Sequence, residues 1–174
     1  AAFGVIMYAN WIFISIFIGY SIGSAPIVGF NYGAKNDDEL KNIFKKSFVI
    51  LTVLGILLTS VSVIFARPLA GIFIGYDKTL LALTEHGLKL FSLAFLMSGY
   101  NIYGSAFFTA LGNGFVSAAI SFMRTLVFQS AVVLILPIFF ETDGIWFSLL
   151  VSEILAFIVT AAFILSKKKV YNYM

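Results

Sequence analysis

FGVIMYANWIFISIFIGYSIGSAPIVGF, residues 3 to 30, runs for 28 residues without a charged side chain. As a helix it is ~42 Å long at 1.5 Å per residue, enough to cross the ~30 Å hydrocarbon core of a bilayer with some tilt. Four further stretches of the same character follow, at 43–66, 80–111, 115–140 and 145–166, and together the five take up nearly all of the 174-residue chain. Charged residues make up 11% and hydrophobic ones 61%, with a mean hydropathy of +1.03. A soluble domain keeps about a quarter of its residues charged, so the composition points to lipid as the solvent. Free backbone N–H and C=O groups find no partner in lipid, and runs of this length satisfy them as helices rather than as strands of a closed barrel. The expected fold is an all-α polytopic membrane protein, one transmembrane bundle over 1–174.

Composition also removes whole classes of chemistry. Without cysteine there is no disulfide framework, thiolate metal site or cysteine nucleophile, and a lone histidine, His86, excludes a multi-histidine metal cage within this chain. A membrane-embedded enzyme needs acids, histidines or a serine with its base clustered near one membrane face, and no such set appears, so no catalytic residue, metal site or cofactor is expected. The chain starts at Ala1 and enters an apolar run at once, which reads as a piece of a longer protein.

The loops set the orientation. Lys35, Lys41, Lys45 and Lys46 crowd the first connection, and Lys167, Lys168 and Lys169 follow the last span. Threading five helices puts both clusters on one side, which the positive-inside rule makes cytoplasmic, with the C-terminus there. Asn36 reads as the N-cap of a helix whose first turn, Asp37 to Glu39, suits the positive end of the helix dipole. On the opposite side Arg67-Pro68 ends the second span, Asp77 opens the third, and Glu85 with Lys89 forms an i,i+4 pair.

Within the spans, Gly19 and Gly23, Gly29 and Gly33, and Gly99 and Gly104 are small-residue steps suited to close helix approach. Pro26 lacks a backbone donor, so a kink or unwinding is expected there, with Ser21 to Asn31 facing a cleft or the bundle interior. Arg124 and Glu153 are the costliest residues. Each lies deep in a span, and at matching depths on antiparallel neighbours they are expected to pair. Glu153 then has two readings, a structural lock and a titrating proton carrier.

The segment SAPIVGFNYGAK, residues 24 to 35, resembles the Q-P-I-I-G-Y-N-Y-G-A-K motif of the multidrug and toxic compound extrusion (MATE) transporters. FFTALG at 107–112 is similar to that family's F-F-Q-A-L-G, and DGIW at 143–146 to its D-G-V-W, while Arg124, Pro137 and Glu153 fall where bacterial members carry arginine, proline and an acid. The resemblance implies helices eight to twelve of a twelve-helix, two-lobe transporter, so that the partner lobe and the first helix of this lobe lie outside the chain. It implies an inner-membrane exporter of small organic, cationic or aromatic compounds, driven by Na⁺ or H⁺ through alternating access, with no nucleic-acid partner. Asn10, Tyr100, Asn101 and Tyr103 are the cleft residues it implies, and Pro26, Gly29, Asn31 and Gly33 carry its first motif. The tenth helix of some members bears an acid that this chain lacks at 98–101, which leaves the coupling ion undetermined. A flippase of lipid-linked sugars from the same wider superfamily is the alternative, though it needs several cations facing its cavity.

Overall fold

A computed structural model describes residues 2–75 and 77–174, which form helices joined by short turns, with no strand among them. The first helix, α1 (Ala2–Gly33), runs unbroken through Pro26, so the expected unwinding is absent. Pro26 removes one backbone hydrogen bond, to the Ile22 carbonyl, and that loss falls on the exposed side of α1, while Ser21, Ser24, Val28 and Asn31 are buried on the other. The helix stops in a C-terminal cap: Asn36 N–H donates to the Asn31 carbonyl (2.9 Å) and Lys35 N–H to that of Tyr32 (3.1 Å), with Lys35 at φ 55°.

Asn36 then caps α2 (Asp37–Ile64), its side chain accepting from Glu39 N–H, and the basic linker continues as helix into the second span. A short helix, α3 (Ala66–Ile74), holds Pro68 in its first turn, where a missing N–H costs nothing. Asp77 caps α4 (Lys78–Ser92) by accepting from Thr79 and Leu80. The single helix expected over 80–111 is built as two, α4 and α5 (Phe95–Ala110), bent by 48° across Leu93 and Ala94. The bend has a visible support. α2 closes on it at Gly55, where a Cβ would lie 3.2 Å from the Phe95 carbonyl, and Thr59 donates to the Ser92 carbonyl (3.2 Å) freed by the break.

Gly112, at φ 77°, ends α5 by the same device as Lys35, and Asn113 caps α6 (Gly114–Phe122). A π-helical segment, Met123–Phe128, continues into α7 (Gln129–Tyr171). Gly114–Tyr171 is 58 residues of helix, ~87 Å if straight, far more than one crossing needs. It is folded back at Glu141 (φ 50°, ψ −127°), and Gly144 packs there so closely that a Cβ would stand 2.6 Å from the Leu136 carbonyl. The result is a helical hairpin with arms on either side of 141. Among the described residues α1, α2 and Gly114–Tyr171 are each long and apolar enough to cross a membrane, the bent α4–α5 pair is a fourth such span if taken together, and the last of the three is divided at Glu141 into two arms.

Two apolar clusters hold the bundle. One joins Phe17, Phe44, Leu51, Phe95, Phe107 and Phe108, and the other Ile6, Ala66, Phe91, Trp146 and Leu149. Close backbone approach comes from α5: a Cβ on Gly99 would stand 2.7 Å from the Phe17 ring, and one on Gly104 2.5 Å from the Thr160 methyl. Gly19, Gly23 and Gly33 have open space instead, so of α1's small-residue steps Gly29 alone packs within the described residues, with a Cβ there 3.4 Å from the Ala110 carbonyl of α5. Large apolar side chains such as Ile12, Val53, Ile56 and Ile138 point outward, as a lipid-facing surface requires.

Candidate functional site

Folding the chain back at Glu141 sets two distant ionisable groups face to face. Arg124 and Glu153 are 29 residues apart, ~43 Å along a straight helix, yet Arg124 Nη2 donates to Glu153 Oε1 at 2.7 Å and Nε to both carboxylate oxygens at 2.9 and 3.1 Å. The geometry is a two-pronged grip by a planar guanidinium, the strongest form of this contact. Glu153 is 2% exposed. At so low an exposure the pair holds only with its remaining lone pairs satisfied, and α5 supplies the partner. Asn101 donates through Nδ2 to Glu153 Oε2 (2.7 Å) and to the Glu153 carbonyl (3.0 Å), and Thr160 donates to Asn101 Oδ1 (3.0 Å). Glu153, Ala156 and Thr160 share one face of the second arm of α7, which is why one asparagine reaches both.

This network forms one wall of an open cavity of about 480 Å³ lined by α1, α5, α6, the π segment and α7. Asn10 and Trp11 come from α1, Asn101 and Ser105 from α5, and Ser121, Arg124, Thr125, Gln129 and Glu153 from the hairpin. Met7, Ile14, Ile18, Ile102 and Leu149 complete an apolar side. The cavity therefore offers two chemistries at once, apolar surface with one indole and a set of hydrogen-bonding groups around a neutralised ion pair. Asn10 is 8% exposed and its Oδ1 has no hydrogen-bond partner. Arg124 also keeps N–H groups beyond those on Glu153, because a guanidinium carries five.

Of the residues the resemblance implied for a cleft, Asn10 and Asn101 line this cavity, whereas Tyr100 and Tyr103 do not. Helical phase separates them, since neighbouring residues point ~100° apart on a 3.6-residue turn. Tyr100 faces α2, its hydroxyl 2.6 Å from that of Thr52 and its ring 5.3 Å from Phe48. Tyr103 is 1% exposed in the apolar core, 6.0 Å from Tyr20 and 5.7 Å from Phe107. Pro26, Gly29, Asn31 and Gly33 lie near the other end of α1, where Asn31 Nδ2 donates to the Ile27 carbonyl at 2.9 Å. Trp11, Gln129 and the link from Thr160 to Asn101 went unread in the sequence. The spacing Asn101, Ser105, Thr109, polar at every fourth position of an apolar helix, is the signal that marks that wall.

Fold and site together define a multi-pass helical membrane protein with a cavity of mixed apolar and polar lining in the bundle. The family model MatE matches residues 1–135, and the chain belongs to that family. Among solved structures, the bent form of the Vibrio cholerae MATE transporter VcmN is similar over 98% of this chain at a TM-score of 0.86 and 18% identity. An inward-facing multidrug resistance MATE family transporter of the MOP superfamily covers 97% at 0.82 and 20% identity, and a MATE in complex with MaL6 covers 98% at 0.82 and 18%. The chain spans only 39–40% of the length of these structures. None of the curated proteins compared matches the sequence.

Proposed function

We propose that this chain is the larger part of the second lobe of an exporter driven by Na⁺ or H⁺, working by alternating access against a first lobe that lies outside it. The lobe resides in the inner membrane with its basic loops and C-terminus in the cytoplasm. Its substrates are small organic compounds, bulky and cationic or aromatic. The observation that carries the reading is the buried Arg124–Glu153–Asn101–Thr160 network on the wall of the cavity, in a chain of the MatE family. An ionisable pair inside a membrane bundle is costly to keep, and such residues mark substrate and ion pathways. Trp11 supplies a ring face for flat molecules and Asn10 an unpaired acceptor.

The flippase alternative fits less well. A pyrophosphate needs several free cations, and Arg124, the cation on the cavity wall, is already engaged by Glu153, while Lys89 is bound to Glu85 at 2.7 Å. The test is drug resistance in cells that express the full-length protein at normal levels. Trp11→Ala and Asn10→Ala are expected to change resistance unevenly across flat aromatic cations, because each substrate uses its own subset of contacts. The same measurement on Phe163→Ala, outside the cavity, is the control. An equal loss for every compound indicates a folding defect, and no loss removes this cavity from the transport path.

A further inference from the structure

A polar seam follows the contact between α5 and α6. Asn101, Ser105 and Thr109 stand at i, i+4 and i+8 and share one face of α5, and Ser117, Ser121 and Arg124 form the facing stripe on the helix that returns beside it. The hydroxyls of the seam are joined in an unbroken row. Ser121 Oγ lies 2.8 Å from Ser105 Oγ, Ser105 Oγ 2.9 Å from Ser117 Oγ, and Ser117 Oγ 2.7 Å from Thr109 Oγ1. One direction of hydrogens satisfies every member. Thr109 donates to the Ser105 carbonyl (3.0 Å), leaving its oxygen to accept from Ser117, which accepts from Ser105, which accepts from Ser121. The two ends matter most. Ser105 and Ser121 line the same cavity as Glu153, while Thr109 is exposed in the last turn of α5, beside the turn that leads into α6.

Hydroxyl contacts between helices serve as adhesive in many membrane bundles, and a single pair is enough for that. A bonded row of four hydroxyls that starts on the wall of the cavity shared with Glu153 and ends at the exposed Thr109, ~6 Å along α5 from Ser105 to Thr109, exceeds what adhesion needs. We propose that this seam is a proton path between Glu153 and the face of the membrane on which the α5–α6 turn lies. The inference rests on the reading of the protein as an ion-driven exporter and names the ion and its exit. The proton leaves the Glu153 carboxyl group, whose O–H bond breaks as the carboxylate re-forms against Arg124. Solvent in the cavity, roomy and polar enough to hold it, carries the proton to Ser121. Each hydroxyl oxygen then binds the arriving proton and releases its own to the next, and Thr109 gives one proton to water at the bundle end. One proton enters and one leaves, no electron moves, and rotation about the C–O bonds resets the row. Arg124 is the ionisable group that shares the cavity with Glu153, and the α1 and α5 residues facing it, Asn10 and Asn101, do not titrate.

The experiment places the full-length protein in liposomes with a pH dye inside and an aromatic cation as substrate. Ser121→Ala, at an exposed position, and Ser105→Ala are expected to slow substrate-driven proton movement by about tenfold or more and to change its solvent isotope effect, while Ser121→Thr and Ser105→Thr, which keep the hydroxyl, stay near the wild-type rate. Size-exclusion profiles of each variant show that it is folded. Folded alanine proteins that move protons at the wild-type rate reduce the seam to adhesive and overturn the inference. A wild-type protein that exports under a Na⁺ gradient alone overturns it as well and leaves the exporter reading intact. Export under neither gradient overturns both.

Discussion

Glu153 accepts five hydrogen bonds, two from Arg124 Nε, one from Nη2 and two from Asn101 Nδ2 if its own carbonyl is included, and this density of bonds fixes what a substitution does. Glu153→Gln leaves a guanidinium in the bundle without a counter-charge. Breaking a buried pair from one side costs about 3–5 kcal/mol, so a large fall in thermal stability of the detergent-purified protein is expected. Arg124→Leu in the same protein removes the orphaned charge and is expected to recover part of the loss, a coupling that the double-mutant cycle isolates. A Glu153→Gln protein that melts normally and loses only ion-driven export makes this carboxylate a proton carrier with no structural share. Arg124 and Glu153 were legible in the sequence because an ionisable residue in an apolar span needs a reason to be there. Tyr100 and Tyr103 were not placed so well, since the phase of a helix with aromatics on every face shows only once its neighbours are packed.

Caps and turns decide the elements. Gly112 and Glu141 both adopt positive φ, at 77° and 50°, but only glycine does so without a clash between Cβ and the carbonyl oxygen. Gly112→Ala is expected to cost about 1–2 kcal/mol, and Glu141→Gly to raise stability by up to about 1 kcal/mol, both read as shifts in melting temperature in detergent. Equal and small effects at the two positions contradict the turn geometry. The spans, the caps at Asn36 and Asp77 and the reversal between 140 and 145 could be read from the chain, because length, capping residues and short polar breaks carry them. The bend at Leu93 and Ala94 could not. Neither residue is a glycine or proline, and the bend is supported by Gly55 and Thr59 of α2, two residues whose role depends on the packed structure. Pro26 was misleading in the opposite sense: α1 stays helical through it and absorbs the loss of one backbone hydrogen bond on its exposed side.

At the scale of the whole molecule, the five-span threading expected from the sequence places both lysine clusters at one end of the bundle and Asp77 at the other. Cysteine substitution followed by labelling from one side of the membrane is expected to give Lys45 and Lys168 the same accessibility and Asp77 the opposite. Agreement between positions 45 and 77 contradicts the threading. Motif order along the chain made the family legible, whereas the coupling ion was not, because residues 98–101 read SGYN where some members of the family carry an acid. Transport by purified full-length protein in liposomes, with an aromatic cation such as ethidium as substrate and with Na⁺ and H⁺ gradients imposed in turn, tests the central claim most directly. Efflux that follows one of the two gradients, stops when it is dissipated and is lost in Glu153→Gln together with Arg124→Leu is the expected result; efflux under neither gradient contradicts it.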